Sequence, residues 1–189
     1  VLRHPKSAPS QAAWHYDFLD WLTAAGQAAR FLDEAVARFP DSAALHERLR
    51  KGFLEIAAAH PGFVSVTAGV HPHDAAAVTA ADWDELARLA ADPRVVAVGE
   101  AGLDYYRDRA PRDRQQELFA RHVALARALG KPLVVHSRDA AGDTFALLER
   151  ERAGEAGGLL HCFSGTRADA ERALALGFQI SLAGPLTYP

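Results

Sequence analysis

The sequence predicts an α/β protein built on a parallel sheet, and three observations carry that expectation. From about Phe63 onward, short apolar runs rich in β-branched residues alternate with longer amphipathic stretches. The short runs are continuously apolar rather than alternating, as strands buried on both faces require. Four of them in succession end in a histidine or a glutamate, the position at which parallel strands deliver reactive side chains to one rim.

Taken in order, the first sixty residues stand apart. Val1–Ser10 has the composition of a frayed tail, and Trp14–Phe39 and Ser42–His60 carry helical patterns broken at Pro40-Asp41-Ser42. No strand is expected before Phe63. Strands are then expected at Phe63–Val70, Val95–Gly99, Pro132–His136, Gly158–Phe163 and Phe178–Ala183. Helices are expected between them at Ala81–Ala91, Arg112–Leu129, Ala140–Arg152 and Arg167–Leu176. Asp82 is the expected opening residue of the first, Thr166 the N-cap candidate of the last, and Gly130 and Gly177 sit where left-handed C-terminal caps belong. Repeated βα units of this kind argue for a parallel sheet. The chain thus divides into a helical N-terminal segment, residues 1–60, and a core of βα units, residues 61–189. Five strands are too few to close a (β/α)8 barrel, which takes about 250 residues, so the pattern leaves an open sheet or a barrel with pieces missing.

Composition narrows the function classes. With 49% hydrophobic and 24% charged residues over 189 positions, the chain has enough apolar material for one sizeable core. A net charge of -3 argues against a tight duplex binder, but not against an enzyme that meets phosphates through metals and a local patch. Cys162 is the single cysteine, which excludes an intramolecular disulfide and favours a reducing, cytoplasmic setting. No apolar run approaches the ~18 residues of a membrane span, and no charged-then-apolar leader opens the chain. A sequence without methionine that begins at Val1 is expected to be a fragment or to carry a misplaced start.

The chemistry concentrates at the strand ends. The first strand runs into His71-Pro72-His73, the second into Glu100, the third ends in His136 and the fourth in His161. Three imidazoles and a carboxylate on one rim suit a divalent ion such as Zn, Mn or Fe. Each residue also has a plainer explanation. A strand-end histidine is commonly a hydrogen-bonded structural group, Glu100 can open a solvated loop, and His71 and His73 can serve the turn around Pro72. Their coincidence on consecutive strands favours a site. His4, His15, His46, His60 and His122 fall outside the pattern and read as structural or surface residues.

Arg138, two residues after His136, has the fork geometry that suits a phosphate, or it pairs with Asp139. Ser164 and Gly165 can present a hydroxyl and N–H groups to a phosphate oxygen near the next helix start, or they form a plain turn before Thr166. Cys162 has no base within sequence reach to make it a nucleophile. Tyr105 and Tyr106 can stack on bases at the mouth or pack over the rim. The sequence holds no G-x-S-x-G elbow, P-loop or G-x-G-x-x-G fingerprint.

Four longer stretches carry a family resemblance: Gly69-Val70-His71-Pro72-His73-Asp74-Ala75, Val98-Gly99-Glu100-Ala101-Gly102-Leu103-Asp104-Tyr105-Tyr106, Val135-His136-Ser137-Arg138-Asp139-Ala140 and His161-Cys162-Phe163-Ser164-Gly165. In order and spacing they resemble the motifs of the TatD family of metal-dependent deoxyribonucleases, in the amidohydrolase-type superfamily, over about Leu45 to Pro189. The resemblance implies a (β/α)8 TIM barrel, incomplete in this chain. It also implies hydrolysis of phosphodiester bonds in DNA, single-stranded or from 3′ ends. Two divalent ions are implied, Mg²⁺ with Mn²⁺ or Zn²⁺ as alternatives. By position, Glu100, His136 and His161 become metal ligands, with Glu100 able to bridge the two ions. His71 becomes a possible substrate contact, alongside the Arg138 and Ser164 read from the residues.

Two parts of the family pattern are not found: a D-[ST]-H-x-H opening before Phe63, and an E-T-D segment, whose Asp serves as base, before Pro189. One metal subsite is then nearly complete, no general base is assigned, and weak or no nuclease activity is expected of the chain by itself. Competing readings are another hydrolase on the same rim, such as an aminoacyl-tRNA deacylase or an amide or ester hydrolase, and an inactive fragment.

Overall fold

A computed structural model describes residues 53–60 and 64–183. The chain divides into two compact units, Val1–Val64 and Ser65–Pro189. In the first, residues 53–59 are helical, at the end of the stretch expected over Ser42–His60. The remainder of that expectation, with Val1–Ser10 and Trp14–Phe39, lies outside the described residues.

The second unit is a sheet of five parallel strands: β1 (Val66–Ala68), β2 (Val95–Asp104), β3 (Leu133–Arg138), β4 (Gly158–Leu160) and β5 (Phe178–Ile180). Between them run α1 (Ala80–Ala90), α2 (Arg112–Leu129), α3 (Ala141–Arg150) and α4 (Arg167–Ala175). Strand order in space follows strand order in the chain. With right-handed crossovers, each step moves the same way along the sheet and lays its helix on the same face. That is the winding of a (β/α) barrel, not of a doubly wound sheet, whose strand order reverses.

Sequence-local chemistry explains the helix ends. Thr79, not Asp82, caps α1: its Oγ1 accepts the Asp82 N–H at 3.2 Å, while Asp82 Oδ2 accepts the Thr79 N–H at 2.9 Å. Asp82 thus completes a reciprocal capping box instead of opening the helix. Thr166 and Asp169 repeat the device on α4. Gly130 ends α2 in the left-handed region at φ 62°, and Gly177 follows α4 at φ +82°.

The core lies between helices and sheet. Val95, Val98, Leu103, Leu133 and Val135 from the strands meet Phe119 and Val123 of α2 and Phe145 and Leu148 of α3, all nearly inaccessible. Full burial of each large apolar side chain contributes about 1.5–3 kcal/mol.

Strand boundaries shift from expectation: β1 spans only Val66–Ala68, β3 runs on to Arg138 and β5 stops at Ile180, and the shifts in β2 and β4 have identifiable causes. β2 runs on past Gly99 to Asp104 because its glycines permit a close approach to β3: a Cβ on Gly102 would stand 1.9 Å from the His136 carbonyl oxygen. β4 stops at Leu160. Cys162 then adopts a left-handed conformation at φ 48°, and its N–H donates to Ser181 Oγ at 3.0 Å.

Of the two expectations for His122, structural or surface, the structure bears out the first. His122 sits fully buried on α2, donates from Nδ1 to the Leu118 carbonyl at 2.8 Å, and accepts the Val70 N–H on Nε2 at 3.0 Å. Burial, aided by the Arg121 charge and opposed by the Leu118 bond, lowers its pKa to about 4, so the ring is neutral. It thereby pins the backbone that leads into His71.

Candidate metal centre

The C-terminal ends of β1, β2 and β3 build one cluster. Glu100 is placed by a bulge: Gly99 lies opposite Val134 and Ala101 opposite Val135, so Glu100 is the extra residue between them. Such a bulge re-aims a side chain at a strand end. His71 stands at the head of a 3-10 turn, Pro72–Asp74, and its Nδ1 accepts the His73 N–H at 3.3 Å. That bond leaves Nε2 facing the cluster, 3.3 Å from His136 Nδ1. His136 Nδ1 lies 3.0 Å from Glu100 Oε1, and its Nε2 lies 3.0 Å from Asp104 Oδ2.

Beneath this layer sits Asp104, only 1% exposed. Its Oδ2 also receives His73 Nε2 at 2.9 Å, and its Oδ1 accepts the Arg107 N–H at 2.7 Å. Gln115 of α2, likewise buried, holds the Asp104 backbone at both ends: Oε1 accepts the Asp104 N–H at 2.8 Å, and Nε2 donates to its carbonyl at 3.3 Å.

Electrostatics follows from these contacts. Burial opposes charge on the Asp104 carboxyl, but the Arg107 N–H and the two imidazoles overcome it and hold the group at about 2. Burial likewise opposes charge on Glu100 and His136, and their mutual hydrogen bond wins. It holds the Glu100 carboxyl below its usual range and the His136 imidazole above its own. His71 is different: burial first, then the neighbouring His136 and His73 rings, lower it to about 4. A neutral imidazole and an ionised carboxylate are the protonation states a cation requires of its ligands.

The donor set fits a divalent cation. One ligand atom each from His71, Glu100 and His136 lies within 4.8 Å of the others, and two imidazoles with a carboxylate suit a first-row divalent metal. Of the residues expected at the site, the structure brings these three together. His161 stands outside that group, exposed, with Nε2 3.1 Å from Cys162 Sγ.

Ser164 and His161 line a neighbouring cavity of about 230 Å³ with Ser137, Asp139 and Thr144. Arg138 does not pair with Asp139; its guanidinium lies 4.0 Å from the centre of the Tyr106 ring, which is 55% exposed. Arg107 approaches the same ring at 5.4 Å. Tyr105 is committed to packing and bonding at the rim. Its hydroxyl donates to Asp143 Oδ2 at 2.8 Å and accepts from Gln116 Nε2 at 2.8 Å, with Arg112 over its ring.

Sequence reasoning gave no part to Asp104, Gln115 or His122. Asp104 stood inside the Val98–Tyr106 motif without a role of its own. The other two carry no sequence signal, because their partners lie 11 and 52 positions away.

The comparisons with known proteins give the family and the fold. The family model for TatD related DNase matches residues 12–189, reaching upstream of the Leu45–Pro189 span over which the motifs suggested the resemblance. The chain is 39% identical over 126 residues to the uncharacterized metal-dependent hydrolase YabD of Bacillus subtilis, covering 67% of this chain and 49% of YabD. It is 44% identical to the 3′-5′ ssDNA/RNA exonuclease TatD of a Rahnella strain, covering 66% of this chain and 48% of that protein. The chain therefore spans about half the length of the curated relatives it matches.

Among solved structures, the TatD homologue YJJV of Escherichia coli K12 superposes with a TM-score of 0.65 at 31% identity, covering 74% of this chain and 54% of that one. A TatD family hydrolase of Entamoeba histolytica gives 0.61 at 27%, covering 70% and 47%. With the winding of the sheet and the family match in agreement, the chain belongs to the TatD-related DNase family.

Proposed function

We propose that this chain carries the metal-binding rim of a divalent-metal-dependent hydrolase that cleaves phosphodiester bonds in nucleic acid. The observation that carries the reading is the convergence of His71, Glu100 and His136 at the C-terminal edge of the parallel sheet. Glu100 and His136 form the centre of the ligand set, with His71 beside them and His161 as a further imidazole across the rim. A bound cation would acidify water and offset the charge that develops on the phosphoryl oxygens. Imidazole donors favour Zn²⁺, whereas Mg²⁺ and Mn²⁺ are better suited by carboxylate and water.

The substrate class rests on charge and on the relatives. Arg138 and Arg107 stand over the exposed Tyr106 ring at the same rim, and among the described residues neither takes part in an ion pair. Two guanidinia around an aromatic face suit the phosphates and bases of a single strand. The Rahnella relative is named a 3′-5′ ssDNA/RNA exonuclease. Ser164 and His161, lining the adjoining cavity, are placed to meet a substrate group next to the metal. A chain with one cysteine suits a reducing, cytoplasmic setting. No helix among the described residues is long and apolar enough to cross a membrane.

Two measurements test the reading. Calorimetric titration with Mn²⁺, Zn²⁺ and Mg²⁺ is expected to show binding that is lost in Glu100→Ala. A 3′-labelled single-stranded DNA is then incubated with the metal-loaded protein. Cation-dependent cleavage abolished by chelation and by Glu100→Ala identifies a nuclease. Metal binding with no cleavage of DNA or RNA, alongside turnover of an acyl ester or aminoacyl-tRNA, would replace the phosphodiester reading with that of a deacylase.

A further inference from the structure

Asp104 is a fully buried carboxylate, and a charge in the interior needs partners that repay its lost hydration. Its Oδ1 is taken by the Arg107 N–H at 2.7 Å, and its Oδ2 receives the Nε2 atoms of both His73, at 2.9 Å, and His136, at 3.0 Å. An ionised carboxylate only accepts, so each imidazole must present an N–H to it. His136 faces a carboxylate on both sides at 3.0 Å. Glu100, however, is 31% exposed and can exchange the ring for water, whereas Asp104 at 1% cannot, so the single proton of the neutral ring belongs on Nε2. The nitrogen left to supply a lone pair is then Nδ1, which lies 3.0 Å from Glu100 Oε1 and 3.3 Å from His71 Nε2. Gln115 grips the Asp104 backbone at N–H and carbonyl, so the carboxylate is positioned from α2, behind the rim.

We propose that Asp104 is a positioning residue that holds His136 as the Nε2–H tautomer, with Nδ1 presented to Glu100 and His71, and that ties the His73 end of the adjoining turn to the same oxygen. The proposal rests on the metal reading above. A carboxylate behind a ligating imidazole orients the ring and raises its basicity, and loss of such a partner typically weakens metal binding roughly 10- to 100-fold. Because one Asp104 oxygen serves both His136 and His73, it couples the β3 ligand to the loop that carries His71.

The test uses the whole 189-residue chain. Proton–nitrogen correlation spectra of the histidine rings, recorded without metal and with pH raised until His136 is neutral, are expected to show His136 as the Nε2–H tautomer. Calorimetry with Zn²⁺ and Mn²⁺ is expected to show roughly 10- to 100-fold weaker binding by Asp104→Asn, with the His136 tautomer changed in the same variant. A wild-type His136 protonated on Nδ1 would overturn the proposal without recourse to any variant, so a failure of Asp104→Asn to fold does not shield it. Binding by a folded Asp104→Asn within about two-fold of wild type would overturn it too. Wild-type protein that shows the Nε2–H tautomer yet takes up neither metal would support the tautomer assignment and overturn the metal reading instead.

Discussion

The two halves of the rim are built differently. On the β1–β3 side, His71, His73, Glu100, His136 and Asp104 form one hydrogen-bonded network that reaches back to Gln115 of α2. On the β4 side, His161 and Ser164 stand exposed on a loop around a cavity. The loop backbone is fastened to the sheet by the His161 N–H to the Val135 carbonyl, the Cys162 N–H to Ser181 Oγ and the Phe163 N–H to the Ser181 carbonyl. Among the described residues, however, no second layer of side chains locks the His161 ring. The difference teaches that motif residues of equal rank in the chain are not equally preorganised. Ligand geometry is fixed where a second layer of side chains locks the first, and it is left adjustable where a loop carries the residue alone.

The largest effect separating the halves is expected from glycines. Gly102→Ala places a Cβ against the His136 carbonyl of the adjacent strand, a clash that backbone cannot relieve cheaply, and should destabilise the fold by about 4 kcal/mol or more. Gly177→Ala, after α4, meets nothing within 4 Å; only its left-handed conformation is strained, which costs about 1–2 kcal/mol. Denaturant unfolding of the pair measures the contrast, and equal losses would erase it.

His122→Ala comes next. It leaves the Val70 N–H without its acceptor and opens a cavity behind the turn that holds His71, for a loss of roughly 3 kcal/mol. The same residue gives the wild type a pH signature. Its pKa in the folded chain is about 4, against 6.5 for an ordinary histidine, so the unfolded chain takes up the proton first as pH falls. The contribution of the buried neutral ring is therefore complete above 6.5, declines as pH falls towards about 4, and levels off below it. Its span is at most about 3 kcal/mol. Unfolding curves across that window should show this slope in the wild type and a shallower one in His122→Gln; equal slopes would remove His122 as their source.

Metal affinity sharpens the comparison directly. His136→Ala removes a ligand shared by the geometric cluster and by the family motif, and is expected to reduce binding at least 100-fold, by about 2.7 kcal/mol or more. His161→Ala should weaken binding by less, since its exposed ring must leave Cys162 to take part. Calorimetry that finds His161→Ala the more damaging would shift the centre of the site towards β4. The smallest effect is expected at the surface: Glu149→Ala breaks an exposed pair with Arg172 and should leave the midpoint of thermal unfolding at the wild-type value within error.

Much of this architecture was legible in the chain. Helix α2 appears at Arg112–Leu129 as its periodicity indicates, and the strands appear in the order of the apolar runs. Gly99 was misleading: glycine reads as a strand break, yet here it and Gly102 allow β2 and β3 to approach. Thr79 was overlooked beside Asp82, because a capping box is a reciprocal bond whose two members cannot be ranked by composition.

The sequence by itself determined the βα repeat, the family and the assignment of Glu100, His136 and His161 to successive βα units, since periodicity and motifs are local in the chain. Only the tertiary structure decided that His71 joins Glu100 and His136, that His161 stands outside that group, and that Asp104 and His122 support the site from beneath. Those relations depend on strand register, a bulge and side chains arriving from α2, and none of these distances in space is encoded in distance along the chain.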